Sequence, residues 1–413
     1  MRTILLAAVF TALATTCNAW GAAGHEIVAT VAEIHLLPSV AEYIRSPDAR
    51  LLPPYAAGHL APIASWADAI RGVPEFRGWS GPLHYTGWEG DHPPEVCAWP
   101  KRAPAEPHHE GDGDEHGHWN SEHDVLHAIA NYTLRLETDP TDWVSFRFLV
   151  HFLGDVHQPL HLTSRERGGN GDPVLWEGRR TNMHSLWDGL LIARALRETT
   201  NYTRPLPSRQ IEDALTGRIY DPYIRLLLWE GVRSWWRDSL PAWLSCPSRS
   251  STDEVETDTA KGILYEPADQ LAFPASSGDE APARENLVIC PFEWASDTHK
   301  TTCALGFPAN YDDEVRGEAL MLSDGPSREA AEPAVTGRLL EVGGQSPFYL
   351  KIRNTKAVER LLVQAGLRLA ATLNLILAPV ADKAGFVAAS AGREPLNIVN
   401  GAYFGWLAEA ERA

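Results

Sequence analysis

The sequence predicts an all-α protein, a single helical domain whose long loops are stapled by disulfides. Three observations lead there. Apolar residues recur every three or four positions over several long segments. No sustained two-residue alternation, the mark of a half-buried strand, runs through residues 20–245. Four cysteines remain once a leader is removed, an even number that suits two disulfides in an exported chain.

Residues 1–19 read as a signal peptide. Arg2 supplies the positive start, "ILLAAVFTALA" the apolar stretch and "CNA" the small residues before a cut. The stretch is too short to span a bilayer and lacks a stop-transfer flank. Cleavage after Ala19 would make Trp20 the N-terminus of a secreted protein. Lipidation at Cys17 is the alternative, but "LATTC" matches it poorly. Residues 20–378 then form the functional domain. "GHEIVATVAEIHLL" carries apolar positions at helical spacing, and so do "VLHAIANYTLRLE" and "WVSFRFLVHFLGDVHQPLH". Between the first and second of these, "KRAPAEPHHEGDGDEHGHW" (101–119) is broken by Pro, Gly, His and acid and reads as an exposed loop. Its histidines, from His108 to His123, fit a solvated loop better than a further metal site. Residues from about 247 to 289 are acidic and Ser/Pro-rich, the composition of a mobile insertion. Helix returns with "VERLLVQAGLRLAATLNLILA". Residues 379–413 read as a loose C-terminal extension. No segment after the leader is expected to be long and apolar enough to cross a membrane.

The formal charge of −18 and pI near 5.3 favour solubility and disfavour average attraction to anionic membranes or nucleic acid. A bound metal ion can reverse the sign of a local pocket, so the average does not exclude an anionic substrate. Asn131 and Asn201 stand in Asn-x-Thr sequons, which fit surface glycosylation of an exported eukaryotic protein. Cys97, Cys246, Cys290 and Cys303 allow three pairings.

The chemistry sits on the helical text. On a helix, residues four apart share a face, so His151 and Asp155 point the same way. His184 and Asp188, in "HSLWDG", repeat the spacing, and His161 follows just past a proline. One His–Asp pair is more often a structural hydrogen bond than a ligand pair. Two pairs and a further histidine in apolar surroundings suit zinc, which takes imidazole nitrogen and carboxylate oxygen. Without a cation, burying these groups would be costly. His25, at the start of the first helix, Asp68 in "SWADAIR" and His84 in "GPLHYT" are further candidates. Cleavage before Trp20 would free an α-amino group that chelates together with its own carbonyl.

The ordered motifs "WGAAGH", "SWADAIR", "LHY", "AIANYT", "HFLGDVHQPLH", "GGNG", "HSLWD" and "CPFEWASDTHKTTC", with the helix "GLRLAATLNLIL", resemble the S1/P1 nuclease family of zinc-dependent single-strand nucleases and 3′-nucleotidases. The likeness covers most of residues 20–378. It implies the all-α fold shared with zinc phospholipase C and a cluster of three Zn2+. One ion would take Asp68, His84, His151 and Asp155. A second, more open, would take His161, His184 and Asp188. The third would take Trp20 through its amino and carbonyl groups, His25 and a shared Asp155. His157 has no ligand role by this match. Asp68 and Arg71 are the implied catalytic pair, with Arg71 neutralising the phosphate. Tyr85 would stack on a base. Gly87 stands where the family's base-binding aspartate would fall, so relaxed base choice is expected, with Asp91 and Trp88 available in the same loop. Asn170, in the glycine-rich turn, is a substrate-contact candidate. The resemblance pairs Cys97 with Cys303, which leaves Cys246 with Cys290, and it matches Asn131 to a glycosylated position.

The implied function is a secreted, monomeric endonuclease acting on single-stranded DNA and RNA and on 3′-nucleotides, with no membrane partner. A zinc phospholipase C and a non-catalytic zinc-binding protein are the competing classes. The loop after His84 and the motifs beyond the ligands favour the nuclease.

Overall fold

The first element of the fold, α1 (Ala22–Ile34), is apolar nearly all round, and ten of its thirteen residues are buried. A helix of that kind belongs at the centre of a core. It lies along the C-terminal helix Ala357–Leu377, itself buried almost throughout. The two axes come close because Gly366 faces Val31; a Cβ at 366 would stand 2.6 Å from the Val31 Cβ. These contacts belong to a computed structural model that describes residues 20–100, 123–199, 201–204, 208–216, 220–246, 289–313, 339–379 and 398–407. The leader with its cleavage point, the His-rich loop and nearly all of the acidic insertion lie outside the described residues.

α2 (Pro38–Arg45) starts on a proline, whose fixed φ suits a first helical turn. A short helix, α3 (Trp66–Ile70), follows two 3-10 turns. α4 (Val125–Thr138) and α5 (Trp143–Asp155) form an antiparallel pair, each begun by an aspartate. The Asp124 carboxylate accepts from the Leu126 and His127 amides, and Asp142 from Val144 and Ser145. Such caps each contribute about 1 kcal/mol. Tyr132 of α4 stacks on Phe148 of α5 with ring centroids 4.7 Å apart, and Phe148 stacks on Phe152 at 5.1 Å. α5 also packs on α1 and on the C-terminal helix, so its last turn is fixed from several sides.

Three features depart from the sequence expectation. A small antiparallel hairpin pairs β1 (Pro173–Trp176) with β2 (Arg179–Asn182). Four-residue strands are too short to register as alternation. Their two-residue turn, Glu177–Gly178, has positive φ at both positions, as the right-handed twist of a hairpin prefers. The C-terminal extension is not loose throughout. Residues 402–407 bury Ala402, Phe404, Trp406 and Leu407 against the core, and Asn374 donates to the Gly401 and His35 carbonyls. Finally, the helix Ala357–Leu377 is long and apolar enough to pass as a membrane span, with a mean hydropathy of 1.3 over its best window, 89% of which is buried inside the protein. Its apolar surface is used by α1, α4 and α5. Disulfides join Cys97 to Cys303 and Cys246 to Cys290, with Cα–Cα distances of 5.7 and 5.8 Å.

Candidate metal centre

The site forms where the N-terminal turn of α1 meets the last turn of α5. His25 comes from the first, His151 and Asp155 from the second. Residue 154 must be glycine for this meeting, because a Cβ there would stand 2.6 Å from His25 Nδ1. The His25 and His151 rings stack with centroids 3.8 Å apart. Asp155 lies between them, its Oδ1 3.2 Å from His25 Nε2 and its Oδ2 3.3 Å from His151 Nε2. The 3-10 turn Gly81–His84 brings His84 Nδ1 to 3.0 Å from Asp155 Oδ2 and 3.1 Å from His151 Nε2. α3 adds Asp68, whose two oxygens stand 3.7 Å from His84 Nδ1 and from His151 Nε2.

A neighbouring group is built from the turn Pro159–Leu162, the short helix Met183–Ser185 and the turn of wider π geometry, Leu186–Leu190, that continues it. The His161 and His184 rings stack at 5.1 Å. His184 Nε2 stands 3.2 Å from Asp188 Oδ2. His25, His151 and Asp155 form one set whose ligand atoms lie within 4.8 Å of one another; Asp68, His84 and His151 form another, and His161, His184 and Asp188 a third.

Backbone carbonyls set the tautomers. The Nδ1–H of His151 donates to the Ala64 carbonyl at 2.7 Å, that of His161 to the His84 carbonyl at 2.6 Å, and that of His184 to the Gly168 carbonyl at 2.7 Å. Each Nε2 is left as a lone pair facing the cluster, the arrangement that second partners impose on metal-binding histidines. Gly168 reaches this position with φ +68°, and a side chain there would run into the Leu160 carbonyl.

The fit to a cation rests on buried atoms without hydrogen-bond partners. Toward the cluster, His25 Nε2, His161 Nε2 and Asp155 Oδ1 are all in that condition. A buried polar atom so placed costs about 1–3 kcal/mol. Borderline-soft nitrogen and hard oxygen in this mixture is a zinc-type donor set. The electrostatics agree. Burial pushes His25 down to about 4, helped by the neighbouring His151. Burial also pushes His161 to about 4 and lowers His84 and His184. Burial acts downward on His151 too, but Asp155 and Asp68 outweigh it and hold that imidazole up at about 9. Burial would raise Asp155, yet His151, His25 and His84 keep it well below the usual carboxylate range. Asp188 goes the other way, well above that range, because burial is reinforced by Asp155 and Asp68. Four imidazoles that resist protonation beside carboxylates that repel one another make a pocket that demands positive charge.

The remaining candidates divide. Trp20 is fully buried, and the next amide, Gly21 N–H, donates to the Asp188 carbonyl at 2.7 Å, which sets Trp20 beside the second group. Arg71 places a guanidinium nitrogen 3.4 Å from Asp68 Oδ1, with the side chain about a third exposed. Tyr85, next to His84 in the chain, is 47% exposed. Trp88 is half-buried, and its carbonyl accepts from the Ser164 hydroxyl. Asp91 does not face a base. It is buried, accepts from the Ala98 amide and sits 3.1 Å from His299 Nε2, so it anchors its loop to the helix Pro291–Thr301. Asn170 donates to the Arg167 carbonyl at 2.7 Å and so closes its own turn. His157 also turns inward: its Nδ1–H donates to the Leu153 carbonyl and its Nε2 accepts from Arg368 at 2.7 Å. Asn131 is half-buried in α4 and Asn201 is exposed. The ring-orienting carbonyls and Gly154 escaped sequence reading, although a glycine directly before a candidate ligand was the available signal. A fourth set, His92, Glu95 and Asp312, is already filled by the Arg165 guanidinium, 2.8 Å from Asp312 and 3.2 Å from Glu95.

The fold and site together define a helical protein that gathers three His/Asp sets at one place, the layout of a metal-dependent hydrolase. The S1/P1 Nuclease family matches residues 20–378. Endonuclease 4 of Arabidopsis thaliana is 27% identical over 388 residues, which cover 91% of this chain and 95% of that protein. Nuclease P1 of Penicillium citrinum is 35% identical over 41% of this chain and 57% of its own length. Nuclease S1 of Aspergillus oryzae is 31% identical over 45% of this chain and 59% of its own length. The chain belongs to the S1/P1 nuclease family and is a hydrolytic nuclease.

Proposed function

We propose that the protein is a secreted zinc endonuclease that hydrolyses P–O3′ bonds of single-stranded DNA and RNA to 5′-nucleotides, and that it also removes the phosphate of 3′-nucleotides. The observation that carries this reading is the convergence of eight His and Asp side chains beside Trp20, with buried ring nitrogens that have no hydrogen-bond partner. Three zinc ions would be held by Asp68, His84, His151 and Asp155; by His161, His184 and Asp188; and by His25, Asp155 and the amino and carbonyl groups of a processed Trp20. Zinc supplies Lewis acidity toward phosphate oxygens and lowers the pKa of water toward neutrality.

The chain's own groups do the rest. Water gives its oxygen to phosphorus as the P–O3′ bond breaks, and the proton that this water releases balances the one that O3′ takes up to leave as a hydroxyl. Asp68, at the junction of His84 and Arg71, accepts a hydrogen bond from the attacking water. Arg71 meets the negative charge that builds on the phosphate oxygens. Tyr85 offers its exposed ring to a base, and with Gly87 in the same loop no carboxylate reads the base edge from that position. Stacking of this kind tolerates any base.

The test is elemental zinc analysis of the processed protein beside a digest of single-stranded nucleic acid with product ends identified. Three zinc ions and 5′-phosphate ends support the reading. Turnover of phosphatidylcholine alone would assign the phospholipase class instead, and zinc without turnover would make this a binding protein.

A further inference from the structure

Gln158 lies inside the ligand-bearing stretch yet has no part in the reading above. It is fully buried. Its two amide atoms face different segments. Oε1 accepts from the Leu160 amide at 2.5 Å, within the turn Pro159–Leu162 that carries His161. Nε2 donates to Asp188 Oδ1 at 2.5 Å, across thirty residues of sequence. The other oxygen, Asp188 Oδ2, is the one 3.2 Å from His184 Nε2.

We infer that Gln158 is a positioning residue for the His161/His184/Asp188 group: it fixes the spacing of two ligand-bearing segments and reserves Oδ2 of Asp188 as the ligand atom. The chemistry supports this division of labour. A carboxylate oxygen that accepts a buried amide N–H is held in plane and is less free to turn toward a cation. The partner oxygen then becomes the single donor, and the group is left with two ring nitrogens and one oxygen. Three protein donors with a remaining open position is the pattern of a catalytic rather than a structural zinc site. Substrate phosphate would use that position. The direction of the amide matters. An acceptor in place of Nε2 would face Asp188 Oδ1 with a second lone pair.

The inference rests on the proposed zinc reading, and the experiment separates the two. Zinc affinity of the processed protein is measured by chelator competition, with stoichiometry from elemental analysis, for wild type, Gln158→Glu and Gln158→Met. Gln158→Glu keeps the acceptor for Leu160 and loses the donor to Asp188; Gln158→Met loses both. Loss of one zinc, or a 10–100-fold weaker affinity for one of three, is expected in both variants, as is typical when an outer partner of a ligand is removed. A cooperative metal-free melting transition in each variant shows that it still folds. Wild-type zinc affinity in Gln158→Glu, with loss only in Gln158→Met, would reduce Gln158 to a turn cap and overturn the inference. A wild-type protein without zinc would overturn the reading beneath it.

Discussion

At the scale of the residue, His151 and Asp155 show how one spacing acquires meaning. Four residues apart on α5, they were bound to share a face. What makes them a site is a lone pair turned inward by the Ala64 carbonyl and three imidazoles crowding one carboxylate. Asp155→Asn keeps the size and removes the shared charge. We expect the loss of at least one zinc by elemental analysis and a fall in kcat on the order of 10^3-fold, about 4 kcal/mol of transition-state stabilisation. Tyr85 follows His84 in the chain and exposes 47% of its surface. Tyr85→Ala should leave zinc content unchanged and raise KM for single-stranded DNA by roughly 10–100-fold, the worth of one base stack. A change in zinc content would remove Tyr85 from the substrate side.

At the scale of the element, the two ends of α1 do different work. Its N-terminal turn delivers His25 to the site through the gap at Gly154. Gly154→Ala should lower zinc stoichiometry without unfolding the protein, since the added methyl meets a ring it can push aside. The other end of α1 holds the C-terminal strap. Just beyond it, His35 Nδ1–H donates to the Val31 carbonyl and Nε2 accepts from the Trp406 indole N–H at 3.1 Å. Burial pushes this imidazole from 6.5 to about 4. The unfolded chain therefore binds the proton first, and the stabilising contribution is complete above pH 6.5 and lost as the pH falls toward 4. The loss amounts to about 3 kcal/mol at most. Trp406→Phe removes the indole donor and keeps most of the bulk. It should cost about 1 kcal/mol near pH 7 and flatten the acid-side fall in melting temperature. An unchanged pH profile in that variant would separate His35 from the strap.

At the scale of the whole molecule, cations and crosslinks do what a formal charge of −18 leaves undone. Cys97–Cys303 fastens the loop after Tyr85 to the far half of the chain, beside the Asp91–His299 contact. If zinc binds the folded form alone, EDTA should lower the melting temperature by roughly 5–10 °C, as mass action with a tight ligand requires. If processing frees the Trp20 amine, one extra residue before it would turn that amine into an amide, which is not a comparable donor. That variant should lose zinc and most activity, and full activity would remove Trp20 from the centre.

By itself, the sequence determined the periodic helices, the even cysteines and the His-x-x-x-Asp pairs, because helical spacing is local and its geometry is fixed by the backbone. The strap at Trp406 and the small hairpin were not legible: strands of two to four residues carry too little pattern, and their partners are distant in the chain. Only the tertiary structure decided which nitrogen of each histidine faces the site, since the orienting carbonyls of Ala64 and His84 lie 87 and 77 residues from the rings that they hold. It also turned Asp91 inward and gave Gln158 two partners. Hydrogen bonds and burial join residues that are neighbours in space, and a linear pattern records neither.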